Sequence, residues 1–408
     1  MLWPGQDPRA ADGTVRTGNC APDIEAVAMQ VFEIDSMAGL RPWFPQWEVL
    51  AQRCLVPNPF YERGALVPAL EEGIVAAGWR ILLIVDSDAP DRLAGLVPIE
   101  RRRFHPLVPQ AVWRPVAHDY AFCSVPLIDR ERADAAADAL LRWVRANGSV
   151  PLDLVDLPVD EPITPLLHAH LRRQHMPRLV HNPRDRAACR PGASAEAYLA
   201  GALRKKRRKE LARQYRRLGE HGRLECRRLA PGEDVHGWVE QFVALEAAGW
   251  KGRNGTAIAA RSSHHHLFER LVEDFHAKGR IDICGLFLDD QPVALKCNLV
   301  GACEGRTGFA FKIAYDERFE RYSPGVQLEI EQIVHMHGPD AAMNWMDSCA
   351  SSQHFMIDRL WTERRRFSSI LVGAPGIRGR STIKALEGAA ALHRIYAGRD
   401  SQQGEEQP

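Results

Sequence analysis

The 408-residue chain is 45% apolar and 26% charged with a net charge of +1, a balance that excludes a disordered or fibrous protein and leaves room for two cores. No apolar run approaches the roughly 18 residues of a membrane span, and the opening Met1-Leu2-Trp3-Pro4-Gly5 lacks the basic-then-apolar order of a secretory leader, so a cytoplasmic protein is expected. Nine cysteines without one C-x-x-C pair exclude a disulfide framework and a cysteine zinc site; His264-His265-His266, consecutive on a helix, point apart, so no metal is expected.

Residues 1–28 read as a loose arm, followed by a first domain over 29–190. Its predicted elements are a strand at 31–34, helices at 42–54 and 59–72, and a strongly apolar strand at 79–85. Sheet continues over 93–104 and 111–128, then come a helix at 132–146, a strand at 152–157, a helix at 164–174 and a strand near Leu179. After a junction at 186–194 the order recurs in a second domain over 191–375. Strand 224–229, helices 235–248 and 264–278, a hairpin 281–299 about Asp289-Asp290, and strand 307–316 lead to a helix from Pro324. Strand 343–347, helix 353–362 and strand 367–372 follow, then a tail over 376–408. Each half thus predicts strand, two helices, three strands, helix, strand, helix, strand: an α/β fold duplicated in architecture but not in sequence.

The stretch 307–338 carries the clearest chemical signal. Phe309, Phe311 and Ile313 alternate as in a strand, and Ser323-Pro324-Gly325 supplies a helix N-cap, a proline at the first helical position and a residue without side-chain bulk. Free N–H groups at a helix start form an anion cradle, here a candidate pyrophosphate site built on Tyr322, Ser323, Gly325 and Val326, with Arg321 for a bidentate phosphate contact. An ordinary capped turn with a solvated Arg321 is the plainer reading. In the first half the corresponding Cys123-Ser124-Val125-Pro126 has no glycine after its proline, so the second half is the expected catalytic one.

This element order, with Trp250-Lys251-Gly252-Arg253, Ala314-Tyr315-Asp316, Tyr322-Ser323-Pro324-Gly325 and Met346-Asp347-Ser348-Cys349, resembles the GNAT acyltransferase superfamily, in particular its CelD-like (BcsL-like) branch. The resemblance is good over residues 195–375 and architectural over 30–185, where paired domains also resemble Fem-type peptidyltransferases. It implies two tandem GNAT-like domains, each a mixed sheet flanked by helices, with the first non-catalytic. The implied activity is transfer of an acyl group, acetyl most simply, from acyl-CoA to an amine on a small molecule, amino sugar or polysaccharide precursor, without a metal. Of the superfamily's glycine pattern this chain keeps Gly325 alone; Tyr322 stands at the start and Gln327 at the end.

An amine with pKa ~10.4 must lose a proton before it attacks a thioester, so carboxylates at the cleft are candidate bases. Asp316 and Asp347 end neighbouring strands at the carboxyl edge of the sheet, where both also suit turn caps. Glu246 is a further candidate base, or a solvated helix residue. Trp250, Lys251 and Arg253 occupy the loop where the resemblance places the acceptor, although the indole also suits a core plug. His354 opens the helix that in the superfamily carries the acid for the leaving thiolate. Residues 203–218 hold nine Arg or Lys against one acid, a local +8 that leaves −7 for the remainder. Leu211, Tyr215 and Leu218 give this helix an apolar face, and its cationic face suits tRNA, anionic lipid, a polyanionic glycan or plain solvation.

Overall fold

The computed structural model describes residues 28–105, 108–341, 343–352, 354 and 356–389. Apolar runs and alternations become strands β1 (Met29–Ile34), β2 (Arg80–Asp86), β3 (Leu93–His105), β4 (Val108–Pro115), β5 (Leu127–Ile128), β6 (Leu152–Pro158) and β7 (Arg178–Cys189) in the first half. The second half contributes β8 (Leu224–Arg228), β9 (Ile281–Leu288), β10 (Gln291–Val300), β11 (Thr307–Tyr315), β12 (Trp345–Asp347) and β13 (Glu363–Val372). β2 buries every residue after Arg80, as a strand covered on both faces must. Helices Phe44–Arg53, Arg63–Glu71, Ala133–Ala146 and Ile163–Arg173 belong to the first half; Val235–Ala248, Ser262–Ala277 and Pro324–Met336 stand at corresponding places in the second.

The strands form one sheet in the order β1-β2-β3-β4-β6-β13-β7-β12-β11-β10-β9-β8, with β5 beside β3. Every neighbour pair is antiparallel except β4 with β6 and β11 with β12, one parallel step in each half at the matching place. The expected α/β architecture, a mixed sheet flanked by helices and used twice, is what the chain adopts. The Asp289-Asp290 hairpin is present too, both aspartates taking positive φ (45° and 70°) as a two-residue turn between antiparallel strands requires.

The last strands are exchanged between the halves. β13 lies between β6 and β7, and β7 pairs in turn with β12, so each half's sheet continues into a strand from the other. At this seam Asp347 of β12 is fully buried between Arg186 of β7 and Arg365 of β13, at 3.3 and 2.7 Å, and Arg365 also grips Glu161. A second set of ties joins helix Arg63–Glu71 and its surroundings to helix Ser262–Ala277: Arg63 with Asp274, Lys278 with Glu48, and Arg280 with Glu62.

Three local expectations change. Ser323 does not cap the helix: it takes left-handed φ/ψ of 54°/52°, its side chain makes no cap bond, and it turns the chain out of a 3-10 segment, Glu317–Tyr322, into Pro324. The helix expected over 353–362 is a 3-10 turn at Ile357–Arg359, short because one turn suffices to bury Ile357, Leu360 and Trp361; residues 353 and 355 lie outside the described set. The tail expected over 376–408 begins with a helix over 377–389, whose Ile383 and Leu386 pack on Phe104, Val112 and Leu371. The arm over 1–27 and residues 390–408 lie outside the described residues. Among the described residues no helix is long and apolar enough to cross a membrane.

Candidate active site

β11 and β12 pair over three positions, Thr307–Trp345 to Phe309–Asp347. Beyond them β11 runs on to Tyr315 while β12 ends, so two parallel strands part and leave a cleft between Ala310–Tyr315 and the chain after Asp347. A bulge sits at the point of parting, where Asn298 of β10 faces Ala310 and Cys297 faces Lys312. The extra residue, Phe311, brings two successive side chains to one side, with the Lys312 Nζ 5.8 Å from the Phe311 ring. Two cavities share this cleft. One, of about 160 Å³, is lined by Lys312, Ser348, Cys349, His354 and Met356 among others. The other, of about 240 Å³, is lined by Glu246, Trp250, Lys251, Gly325, His354 and Met356.

Five residues singled out from the sequence therefore meet around one cavity: Glu246, Trp250, Lys251, Gly325 and His354. Gly325 lies in the first turn of helix Pro324–Met336, where its N–H and that of Val326 have no carbonyl within the helix to bond. A Cβ at Gly325 would meet Tyr315, Ile313 and Met356 at 3.6–3.8 Å, ordinary contact distances, so the absent side chain leaves open cavity wall. Glu246 is buried, receiving Lys251 Nζ at 2.6 Å and the Ile258 N–H at 2.8 Å. Trp250 is 50% exposed at the cavity mouth, and its N–H donates to Glu317. The His354 Nδ1 accepts from the Ile357 N–H at 3.4 Å.

Lys251 is placed by its neighbour. A Cβ on Gly252 would sit 1.8 Å from the Ala247 carbonyl oxygen, so only glycine permits the tight turn that folds Lys251 back onto Glu246. Gly252→Ala is expected to destabilise the fold by about 1–3 kcal/mol in urea unfolding; unchanged stability would refute this placement.

The other predicted residues lie elsewhere. Asp316 caps the 3-10 segment, accepting the Arg318 N–H at 2.9 Å and gripping the Arg318 guanidinium; burial raises its pKa, but these bonds outweigh burial and hold it below the ordinary value. Asp347 is locked in the seam: burial pushes its carboxyl up, and the charges of Arg186 and Arg365 overcome this and hold it down. Tyr322 is buried with its hydroxyl 2.8 Å from His221 Nε2. Arg321 stacks over the Tyr322 ring at 4.7 Å and makes no ion pair among the described residues. Arg253 pairs with Glu317 and, with Asp316, borders an adjoining trough of about 780 Å³.

Sequence reasoning missed Lys312. Its Nζ lies 4.3 Å from the Tyr120 ring centre and 5.7 Å from that of Phe122, and no carboxylate pairs with it among the described residues. Burial pushes its pKa down to about 8; the Lys251 charge acts in the same direction, while Glu246 and Asp119 oppose it. Tyr120 and Phe122 come from the first half's counterpart of the cradle. Asn58 donates to the Cys123 and Val125 carbonyls, Tyr61 to that of Val116, and Arg186 to that of Phe122, so this stretch is pinned as a wall of the second half's cleft. Tyr120 also shares a hydrogen bond with His264 at 3.1 Å, and burial lowers the pKa of nearby His118 to about 4. The available signal was a single cation inside the apolar run Gly308-Phe309-Ala310-Phe311-Lys312-Ile313-Ala314.

No curated protein matches the chain. Among solved structures, a conserved protein of unknown function from Bacteroides thetaiotaomicron VPI-5482 is similar at 10% identity and a TM-score of 0.51, over 84% of this chain and 99% of that one. FemX is similar at 10% identity and 0.51, over 87% and 99%. A tandem GNAT protein from the clavulanic acid biosynthesis pathway is similar at 13% identity and 0.40, over 86% and 100%. Residues 205–355, which hold the cradle, the parted strands and Lys312, match the family model described as an acetyltransferase (GNAT) domain.

Proposed function

We propose that the chain is an N-acyltransferase that moves an acyl group, acetyl most simply, from coenzyme A to an amine on an amino sugar or other polysaccharide or envelope precursor. The parting of β11 from β12 beside a helix N-terminus carries this reading, since it opens a cleft with free N–H groups at one end and the half-buried Lys312 amine along its wall. Gly325 and Val326 would hold phosphate, with Arg321 beside them. Trp250 and the Lys251–Glu246 pair would border the acceptor. Lys312 would accept the proton as the amine nitrogen bonds to the thioester carbonyl carbon; the carbon–sulfur bond then breaks and the thiolate leaves, protonated by solvent or His354.

Thermal unfolding with acetyl-CoA, longer acyl-CoA and free coenzyme A tests the donor. A ligand at 100 times its Kd stabilises by about 2.7 kcal/mol, and Gly325→Asp, which sets a carboxylate in the cavity wall, should abolish the shift while Gly325→Ala keeps it. No shift with any thioester would overturn the coenzyme A reading.

One observation favours a second reading, transfer from a charged tRNA. The basic helix Lys205–Leu218 is tied directly to the cradle, Gln327 donating to the Leu211 carbonyl at 2.9 Å and Gln214 to that of Arg321 at 3.2 Å. Salt-sensitive tRNA binding without a thioester response would select it.

A further inference from the structure

The outer face of helix Pro324–Met336 opens into a trough. With helices Ala195–Ala202 and Lys205–Leu218 it walls an open trough of about 550 Å³, lined chiefly by Leu199, Leu203, Leu211, Tyr215, Ile330 and Val334. That volume falls within the about 300–1,000 Å³ typical of small-molecule sites. The lining is mostly aliphatic, and Val334 at one end is 46% exposed, so apolar surface is continuous along the trough. Arg208 lines the same trough; its Nε is buried without a hydrogen-bond partner, and no carboxylate pairs with its guanidinium among the described residues. Two acids, Glu196 and Glu331, also line the wall, and neither makes an ion pair with Arg208 among the described residues. Arg204, Lys205, Lys206, Arg207 and Lys209, at the start of the helix that forms one wall, are exposed and spread a basic end around it.

We infer that this trough and its basic rim form a docking site for an anionic membrane surface, the trough taking one lipid acyl chain and Arg208 with the basic helix taking the phosphate headgroups. An apolar slot beside a dense row of cations matches an amphiphile that carries both parts, with hydrophobic burial and phosphate attraction acting together. Nucleic acid fits the rim but not the slot, because single-stranded recognition relies on aromatic stacking and this lining offers only Tyr215 as a ring. Membrane docking of this kind would bring the cleft to acceptors held at a bilayer, yet it stands independently of the acyl-transfer reading.

Flotation of the full chain with phosphatidylcholine vesicles, with and without one-third phosphatidylglycerol, provides the test. Binding to the anionic vesicles is expected, with little to phosphatidylcholine alone. Replacing Lys205, Lys206 and Lys209 by glutamine should weaken binding about 100-fold, since each cation near an anionic surface contributes ~1 kcal/mol. Val334→Asp should weaken it about tenfold at unchanged rim charge, because a carboxylate in the slot opposes chain entry; Arg208→Gln should weaken it as well. Thermal unfolding of each variant confirms that it folds. Equal binding to both vesicle types, full binding by Val334→Asp and Arg208→Gln, or binding to tRNA with no flotation would each overturn the proposal.

Discussion

Replacing Lys312 by methionine is expected to lower kcat/KM for the amine acceptor by about 10²–10⁴-fold, the usual contribution of a positioned base, while making the protein more stable at neutral pH. The two effects have one origin. Burial disfavours the charged amine, so the folded pKa, about 8, lies below the unfolded lysine value of ~10.4. A group depressed in this way penalises the native state wherever both states are protonated, below about pH 8; the penalty fades as pH rises from the folded towards the unfolded value. Methionine fills similar space without the charge and removes the penalty. The same titration should set one limb of the rate: only the neutral amine accepts a proton, so kcat/KM in the wild type should bend near pH 8, any rise beyond it reporting deprotonation of the acceptor amine. The charged and titratable groups facing Lys312 are Asp119, Tyr120, Glu246, Lys251, His118, His264 and Cys297, and none sits at ion-pair distance among the described residues. Lys312→Arg, permanently charged, should stay inactive at every pH. A pH profile unchanged by the methionine variant, or a variant of ordinary activity, would remove Lys312 from the chemistry. An inactive variant that still shows the coenzyme A stability shift would separate this role from donor binding.

Asp347→Asn is expected to destabilise the fold by about 3–5 kcal/mol, the usual consequence of leaving buried charges without their partner. Asp347 is wholly buried, and its loss as an anion leaves the Arg186 guanidinium without a carboxylate inside the sheet and Arg365 with Glu161 alone. Its folded pKa is depressed, so its stabilisation is present above the unfolded carboxylate value of ~3.9 and is lost as pH falls through the lower folded value. The wild type should therefore lose stability steeply below about pH 4, and the asparagine variant less so. Urea unfolding at neutral and acid pH measures both. Adding Arg186→Met should restore part of the loss, because it removes the charge left without a partner. A change under 1 kcal/mol for the single variant would mean that water reaches the seam and screens the arginines.

Sequence patterning carried the architecture well where the cause was local. A continuous apolar run placed β2, period-two alternation placed β11, and Asp289-Asp290 placed the β9–β10 hairpin, because a two-residue gap between strands admits few turns. The site was legible in part: Trp250-Lys251, Glu246, Gly325 and His354 meet, although they are separated by up to 108 positions in a chain whose pairing was unknown. Ser323 was assigned its commonest role, yet Pro324 already starts the helix and the preceding 3-10 turn demands a left-handed residue, so backbone geometry displaced the cap. Lys312 escaped because strict alternation puts Phe309, Phe311 and Ile313 on one face and the lysine on the other. The bulge that overturns this depends on pairing with β10, which no local pattern reveals. Asp347 ended a strand as expected, but its partners come from β7 and β13, 161 and 18 positions away.

The exchange of β7 and β13 also orders events during synthesis. When the first half has emerged from the ribosome, the slot beside β6 that β13 will fill is empty, and its N–H and C=O groups stay exposed until residue 372 arrives. β6 and β7 do not pair with each other in the finished sheet, so β13 must enter between them rather than add at a rim. A cut between the halves is therefore expected to yield two pieces that each lack a strand of their own sheet.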